Sequence, residues 1–330
     1  MRRRAGKREL VGYDLMPGRR RIHPVAPRKP RAKADITFVL HPERDMSYIH
    51  FENGSAHPYE PPAPALTRRN AWWLADAALL AYWDSDVALP RFKAAGMNAE
   101  FLEAGALQCY LAWTSQFVIV AFRGTEADEW GDVLDDVLFK MEPWDRPDTH
   151  VHGGCKAALE RVWETLAARL APLAASRTVW FAGHSLGGAL ATLAGDRFAS
   201  TAGICTIGSP RVGDGPFARG FDRRFGARAL RYVNDADVVT HLPPPGPIPL
   251  PLVFKHVGGL RHIAPDGGIS TRPPRIAHFF PDLIGDSLHL MEVMQGVEQG
   301  VLRHAPDFLQ DHMPRAYTVD IWNDYADHGD

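Results

Sequence analysis

The 330-residue sequence has few cysteines and no long apolar run, and each shortage excludes a class of protein. Its three cysteines, Cys109, Cys155 and Cys205, are odd in number and far apart, so they form neither a disulfide framework nor a Cys-x-x-Cys metal clip. No apolar run reaches the roughly 20 residues that span a bilayer. With 45% hydrophobic and 23% charged residues, the composition is that of an ordinary globular protein.

Acidic residues are scarce at the amino terminus, although the net charge of the chain is only −2. Residues 1–33 carry 12 Lys and Arg against Glu9 and Asp14, a charge of +10 that leaves −12 on the remainder. An acidic body argues against broad binding to nucleic acid. The basic segment predicts a solvated, disordered arm, and contact with an anionic surface is the alternative. It lacks both the apolar stretch of a secretory signal and the serines of a transit peptide, so we expect a cytoplasmic protein.

Composition divides the chain into three regions. Residues 1–34 are the basic arm, and residues 35–69 form an N-terminal extension that ends in a Pro-rich linker. Residues 70–330 are predicted to form one domain, since no internal repeat and no second core is visible.

Apolar segments of strand and helix length alternate within this domain. The predicted strands are Phe117–Phe122, Thr178–Ala182, Gly203–Ile207 and Ala229–Val233, with one or two more within Leu252–Ile263. The predicted helices are Asn70–Trp83, Cys155–Leu173 and Leu186–Ala199. This alternation indicates an α/β fold whose mostly parallel central sheet is covered by helices on both faces.

The sequence GHSLG at residues 183–187 fits the pattern G-x-S-x-G of a nucleophile elbow. The pattern alone is weak, but here it follows a predicted strand and opens a predicted helix. Such a turn exposes the Ser185 hydroxyl and points the Leu186 N–H at a developing oxyanion. Gly183 and Gly187 are expected because a Cβ at either position would collide with the adjoining strand or helix.

A serine nucleophile needs a base and an orienting acid, and the chain order in this type of sheet is serine, acid, histidine. Asp235 and Asp237 both follow the predicted strand Ala229–Val233, so both qualify as the acid. Thr125, just after the strand Phe117–Phe122, is a candidate second oxyanion donor. Spacing alone does not choose among the eight histidines that follow the acid: His241, His256, His262, His278, His289, His304, His312 and His328.

Several ordered motifs together resemble the class 3, fungal-type triacylglycerol lipase family, over residues 70–317. They are FRGT at 122–125, VHGG at 151–154, GHSLGG at 183–188, GSPRVG at 208–213, VNDADVVTHLPP at 233–244, and Asp311-His312 with Tyr317 behind it. The resemblance implies an α/β-hydrolase. The chain departs from the family in its N-terminal extension, in its lack of a secretion signal and disulfides, and in a Pro-rich segment before His312.

The resemblance also implies a role for each matching residue. Ser185 would be the nucleophile, Asp237 rather than Asp235 the acid, and His312 the base. The amides of Thr125 and Leu186 would form the oxyanion hole. Ester hydrolysis through an acyl-enzyme requires no metal and no organic cofactor.

Residues 126–137 follow Thr125 and correspond to the region that carries a lid in the resembled family. If this stretch is helical, Trp130, Val133 and Leu134 share one apolar face opposite an acidic one, and they are the candidate lid residues. A surface helix packed permanently on the core is an equal alternative. The acidic face argues against docking to an anionic membrane, although transient contact with a lipid interface is expected. Two more apolar segments, Pro243–Phe254 and Phe279–Leu302, would form either an acyl-chain wall or core.

Three hypotheses of function follow. The first is a serine hydrolase acting on lipid esters such as acylglycerols. The second is an esterase for small or aromatic esters, or a phospholipase. The third is a non-catalytic binding protein, which the complete set of Ser185, Asp237 and His312 disfavours.

Overall fold

The described chain is built around an eight-stranded mixed sheet. The computed structural model describes residues 48–60, 64–105, 107–124, 140–235, 237–243, 254–272 and 310–330. The strand order is β1-β2-β3-β6-β7-β8-β9-β10, and β4 pairs with β5 separately. The strands are β1 Asn98–Ala104, β2 Leu107–Trp113, β3 Phe117–Phe122, β4 Met141–Pro143, β5 His150–His152, β6 Thr178–His184, β7 Thr201–Ile207, β8 Ala229–Asn234, β9 Gly259–Ile263 and β10 Ile269–Ser270.

All the pairs from β3 to β9 are parallel, whereas β1, β2 and β10 add antiparallel edges. Six α-helices accompany the sheet in the described residues: α1 Arg68–Leu80, α2 Ser85–Ala94, α3 Gly153–Ala174, α4 Leu186–Arg197, α5 Gly215–Phe225 and α6 Pro314–His328. The predicted α/β-hydrolase architecture with a mostly parallel sheet is therefore confirmed.

Strand β3 shows how the sequence produces two packed faces. Its six apolar residues are all fully or nearly fully buried, as a central strand covered on both sides requires. Phe117, Ile119 and Ala121 join the core beneath α1 and α6, and the intervening residues join the core beneath α3, α4 and α5. The period of two thus divides one apolar run between two hydrophobic layers.

Residues 48–60, which the sequence assigns to an extension outside the domain, pack into the domain core. Tyr48, Phe51 and Tyr59 are each no more than 5% exposed and belong to the same cluster as α1. The backbone N–H of Phe51 donates to the Asp76 carboxylate at 2.5 Å, and the Trp73 indole N–H donates to the His57 carbonyl at 2.8 Å. Buried aromatic side chains therefore anchor this part of the extension to α1. Residues 1–47 lie outside the described part of the chain.

The segment Leu252–Ile263 contains a shorter strand than its apolar composition suggests. Strand β9 begins only at Gly259, and residues 254–258 contribute a single isolated bridge between Lys255 and Gly213. Of the one or two strands predicted within Leu252–Ile263, the described residues form β9, and His256 lies outside it. No helix in the described segments is both long enough and apolar enough to cross a membrane.

Candidate active site

Ser185 occupies a strained turn between β6 and α4. Its φ of 58° and ψ of −129° lie in a region that non-glycine residues rarely adopt. A Cβ on Gly183 would overlap the Gly187 carbonyl, and a Cβ on Gly187 would overlap the Phe122 carbonyl. The predicted need for glycine on both sides of the serine is therefore confirmed. The turn is fixed to the sheet because Ser185 N–H donates to the Ile207 carbonyl at 3.0 Å.

The amide of Leu186 opens helix α4. As the first residue of the helix, its N–H has no acceptor within the helix, so it can serve an external anion. Gly124 lies beside the elbow, since a Cβ there would lie 2.8 Å from the His184 carbonyl. Thr125, the other predicted oxyanion donor, lies outside the described residues, as do Trp130, Val133 and Leu134 of the candidate lid.

Asp237 and His312 meet although 75 residues separate them. Nδ1 of His312 lies 2.9 Å from one carboxylate oxygen of Asp237 and 3.0 Å from the other. The Asp237 side chain is fully buried, and the His312 side chain is 12% exposed although its Nε2 atom is buried. The Tyr317 hydroxyl donates to the same carboxylate at 2.5 Å, and the Val239 N–H donates at 3.0 Å. Three donors thus satisfy a buried negative charge.

The imidazole of His312 lies next to the elbow. Its centroid is 4.4 Å from that of His184, and a Cβ on Gly208 would lie 3.1 Å from its Nδ1. Ser185 Oγ is buried and forms no hydrogen bond with any described residue. In serine hydrolases without substrate, the hydrogen bond between serine and histidine is often loose and tightens when substrate binds.

Asp235 and several of the other histidine candidates have different partners, and His278, His289 and His304 lie outside the described residues. Asp235 has a φ of 32°, and its N–H donates to the Ile263 carbonyl at 2.8 Å. Burial lowers the pKa of His262, and the charge and backbone of Asp235 oppose that shift. The carbonyl of His241 accepts from the Arg211 guanidinium. The pKa of His256 is well below its usual range, first because the ring is buried and then because Arg231 and Arg211 are positively charged.

Sequence reasoning missed two polar residues that touch this site. The hydroxyl of Tyr82 lies 2.7 Å from Nδ1 of His184, and Nε2 of His184 lies 2.7 Å from the carbonyl oxygen of His312. His184 is the variable residue of G-x-S-x-G, so the pattern assigns it no role. Tyr82 lies 102 residues earlier in the chain.

Tyr317 was noted only as part of the terminal motif, yet it contacts both the acid and its strand. Its hydroxyl accepts from the Asn234 N–H at 2.9 Å while it donates to Asp237. Burial, followed by the carboxylate of Asp237, raises the pKa of Tyr317 well above its usual range, so the hydroxyl keeps its proton. An aromatic residue five positions after the histidine was the only available signal.

The described residues contain no group of three or more His, Cys, Asp or Glu side chains that could hold a metal ion. The apolar segment Phe279–Leu302 lies outside the described part of the chain, as do residues 244–253 of Pro243–Phe254.

Comparison with known proteins finds a similarity that includes the elbow. Residues 119–246, which contain the elbow, Asp237 and β3 from Ile119 onward, match the family model described as Lipase (class 3). A phospholipase A1-II 1 of Oryza sativa subsp. indica is 33% identical over 154 residues, covering 38% of this chain and 39% of that protein. A lipase of Caenorhabditis elegans is 30% identical over 145 residues, with coverage of 39% and 38%. The solved structure of lipase II from Rhizopus niveus is 24% identical and covers 58% of this chain and 77% of that one, at a TM-score of 0.46.

The chain spans about two fifths of the length of the curated relatives it matches. This chain is therefore similar to the class 3 lipases over residues 119–246.

Proposed function

We propose that this protein is a serine carboxylester hydrolase that cleaves lipid esters such as acylglycerols. Ser185 is the nucleophile, His312 the base and Asp237 the orienting acid. The amides of Leu186 and Thr125 stabilise the oxyanion. The similarity to class 3 lipases over residues 119–246 supports the reaction class, and the residue roles rest on the geometry of the site.

One observation carries the proposal: a buried carboxylate holds the imidazole of His312 beside a serine in a strained turn. The bonds of 2.9 and 3.0 Å to Nδ1 fix the tautomer that leaves Nε2 available to accept a proton. A binding protein that merely kept the fold would have no need to bury Asp237 completely and to satisfy it with three donors.

The reaction proceeds in two symmetrical halves. His312 Nε2 takes the proton of Ser185 Oγ as the oxygen attacks the ester carbonyl, and the amide of Leu186 stabilises the resulting oxyanion. His312 then gives that proton to the leaving alcohol, and the acyl group stays on Ser185. Water, deprotonated by His312, attacks the acyl-enzyme and releases the fatty acid, while the proton returns to Ser185.

Two classes of lipid ester are candidate substrates. Acylglycerols fit the similarity to class 3 lipases, and the relatives named phospholipase A1 favour a phospholipid as the second candidate. Activity on a set of p-nitrophenyl esters of increasing chain length, on a triacylglycerol emulsion and on phosphatidylcholine vesicles separates these classes. Preference for acetyl over long-chain esters would point instead to a small-ester esterase.

The central test is labelling by a fluorophosphonate probe together with the Ser185→Ala variant. We expect the native chain to be labelled, and Ser185→Ala to lose labelling and about 10⁶ in kcat while it still folds. Ser209→Ala is the matched control, because Ser209 is also buried but donates to the carbonyl of Pro210. A Ser185→Ala protein that keeps more than roughly 1% of its activity would refute the assignment, since loss of a triad serine removes nearly all turnover.

The proposal also includes a lid, a cellular location and a role for the basic residues 1–33. We propose that Trp130, Val133 and Leu134 form a lid that contacts the lipid interface transiently, and that the cytoplasm is the site of action. The +10 charge of residues 1–33 supports contact with an anionic surface. Deleting residues 1–33 should leave ester hydrolysis intact and abolish sedimentation with phosphatidylserine vesicles, whereas phosphatidylcholine vesicles serve as the control.

A further inference from the structure

A second buried pair, Tyr82 and His184, lies behind the proposed catalytic residues. Tyr82 is 3% exposed and His184 is 2% exposed. The Tyr82 hydroxyl lies 2.7 Å from Nδ1 of His184, and Nε2 of the same ring lies 2.7 Å from the carbonyl oxygen of His312. This chain of hydrogen bonds ends on the backbone of the proposed base.

The chemistry of these partners fixes the tautomer of His184. A carbonyl oxygen can only accept, so Nε2 of His184 must carry the hydrogen that is donated to His312. Burial, followed by the adjacent His312, lowers the pKa of His184 well below its usual range, so the ring is neutral. A neutral ring protonated at Nε2 leaves Nδ1 as an acceptor, and the Tyr82 hydroxyl must therefore be the donor.

The pair also touches the loop that leads to the proposed oxyanion donor Thr125. A Cβ on Gly124 would overlap the Tyr82 hydroxyl and lie 2.8 Å from the carbonyl of His184. Tyr82, on the turn after α1, thus connects three segments at the carboxyl edge of the sheet: the end of β3, the serine elbow and the loop that carries His312.

We propose that Tyr82 and His184 are positioning residues, which hold the backbone of His312 so that its imidazole stays aligned with Ser185. The proposal rests on the proposed function, because alignment matters only if Ser185 and His312 react. The alternative is that His184 is a buried histidine whose hydrogen bonds merely satisfy its own nitrogens.

The hydrogen bonds can be tested without any assay of activity. Two-bond ¹H–¹⁵N spectra of the histidine-labelled protein report the tautomer of each ring, and the His184→Gln spectrum identifies the resonance of His184. We expect the tautomer protonated at Nε2. Protonation at Nδ1 or on both nitrogens would overturn the proposal, because Nε2 could not then hold His312 in the way described.

Two amide variants separate positioning from mere packing. In His184→Gln the side-chain amide can reach the position of Nε2 and donate to the carbonyl of His312. In His184→Asn the shorter amide can reach only the position of Nδ1, so the bond to His312 is lost. We expect kcat for a p-nitrophenyl ester to stay within about threefold of wild type in His184→Gln and to fall roughly tenfold or more in His184→Asn, with KM unchanged in both.

Tyr82→Phe should also lower kcat, and it should add little loss to that of His184→Asn because the two residues act through one chain of bonds. Tyr325→Phe is the matched control, since the Tyr325 hydroxyl pairs with Nδ1 of buried His57 at 3.2 Å, far along α6 from His312. That variant should lose stability but not kcat.

The outcomes separate failure of the positioning role from failure of the proposed function. If the wild-type chain hydrolyses esters and His184→Gln and His184→Asn behave alike, the positioning role is wrong while the proposed function stands. If the wild-type chain neither reacts with the fluorophosphonate nor hydrolyses any ester, the proposed function is wrong. If His184 is nevertheless protonated at Nε2, its hydrogen bond to His312 would be purely structural, and the positioning role would also be wrong.

Discussion

Replacing Gly208 with alanine should damage the reaction more than the fold. Gly208 follows β7 with a φ of +59°, and an added Cβ would lie 3.0 Å from the Asp237 carboxylate. The same Cβ would lie 3.1 Å from both Cε1 and Nδ1 of His312. The methyl group would therefore disturb the hydrogen bonds between Asp237 and His312.

The expected magnitudes follow from these distances. Carbon–oxygen and carbon–nitrogen contacts near 3.0 Å are short, so the Asp237–His312 pair must move by about a few tenths of an ångström. Because a misplacement of about 1 Å costs about 10²-fold in rate, we expect kcat to fall roughly threefold to tenfold. The left-handed backbone adds about 1–2 kcal/mol of strain in the folded state.

Gly105→Ala separates the strain from the contact. Gly105 has a similar φ of +63°, but a Cβ there meets no described atom within 4 Å. Both variants should lower the thermal midpoint by similar amounts, and only Gly208→Ala should lower kcat for a p-nitrophenyl ester. A Gly208→Ala enzyme with wild-type kcat would show that the Asp237–His312 pair is not the reactive arrangement.

Three further predictions rest on the same contacts. Asp237→Ala should cost about 10⁴ in kcat, whereas Asp235→Ala should cost far less; the reverse order would move the acid by two residues. Tyr317→Phe removes one of the three donors to Asp237, so kcat should fall by about tenfold, and an unchanged kcat would show that the two remaining donors suffice. Burial raises the pKa of the thiols of Cys109, Cys155 and Cys205 to about 12. Iodoacetamide at pH 8 should therefore alkylate these cysteines only after the protein is unfolded in urea, which mass spectrometry would show.

Local patterns predicted the sheet and the elbow well because each depends on neighbours in sequence. The run at 117–122 matches β3 at both ends, since a fully buried parallel strand is a continuous apolar stretch. The serine turn was recognisable because its glycines are required by contacts within the same strand–turn–helix unit. Here the hydrophobic pattern and the local sterics point to the same structure.

Features that depend on distant contacts were not predictable in the same way. Tyr82 has no local pattern that distinguishes it from other buried aromatic residues, and its role follows only from its hydrogen bond to His184. Residues 48–60 fall in the predicted N-terminal extension, but the Asp76 carboxylate and aromatic packing anchor them to the domain. Spacing did not choose His312 from eight histidines, because the choice is made by the approach of α6 to the end of β8.

The histidine assignment leads to the last prediction, in which His312→Ala is compared with His256→Ala. His312 faces the Asp237 carboxylate at 2.9 Å, so the positive charge that the ring gains during catalysis is stabilised. His256 faces Arg231 and Arg211 instead, and these cations oppose any positive charge on its ring.

The activity of His312→Ala should therefore fall to the background of Ser185→Ala, because the members of a triad act as one unit and their losses do not add. His256→Ala should change the thermal midpoint but leave kcat for a p-nitrophenyl ester near that of wild type. Normal turnover in His312→Ala, with a dead His256→Ala enzyme, would overturn the triad, since it would require a base that works between two arginines.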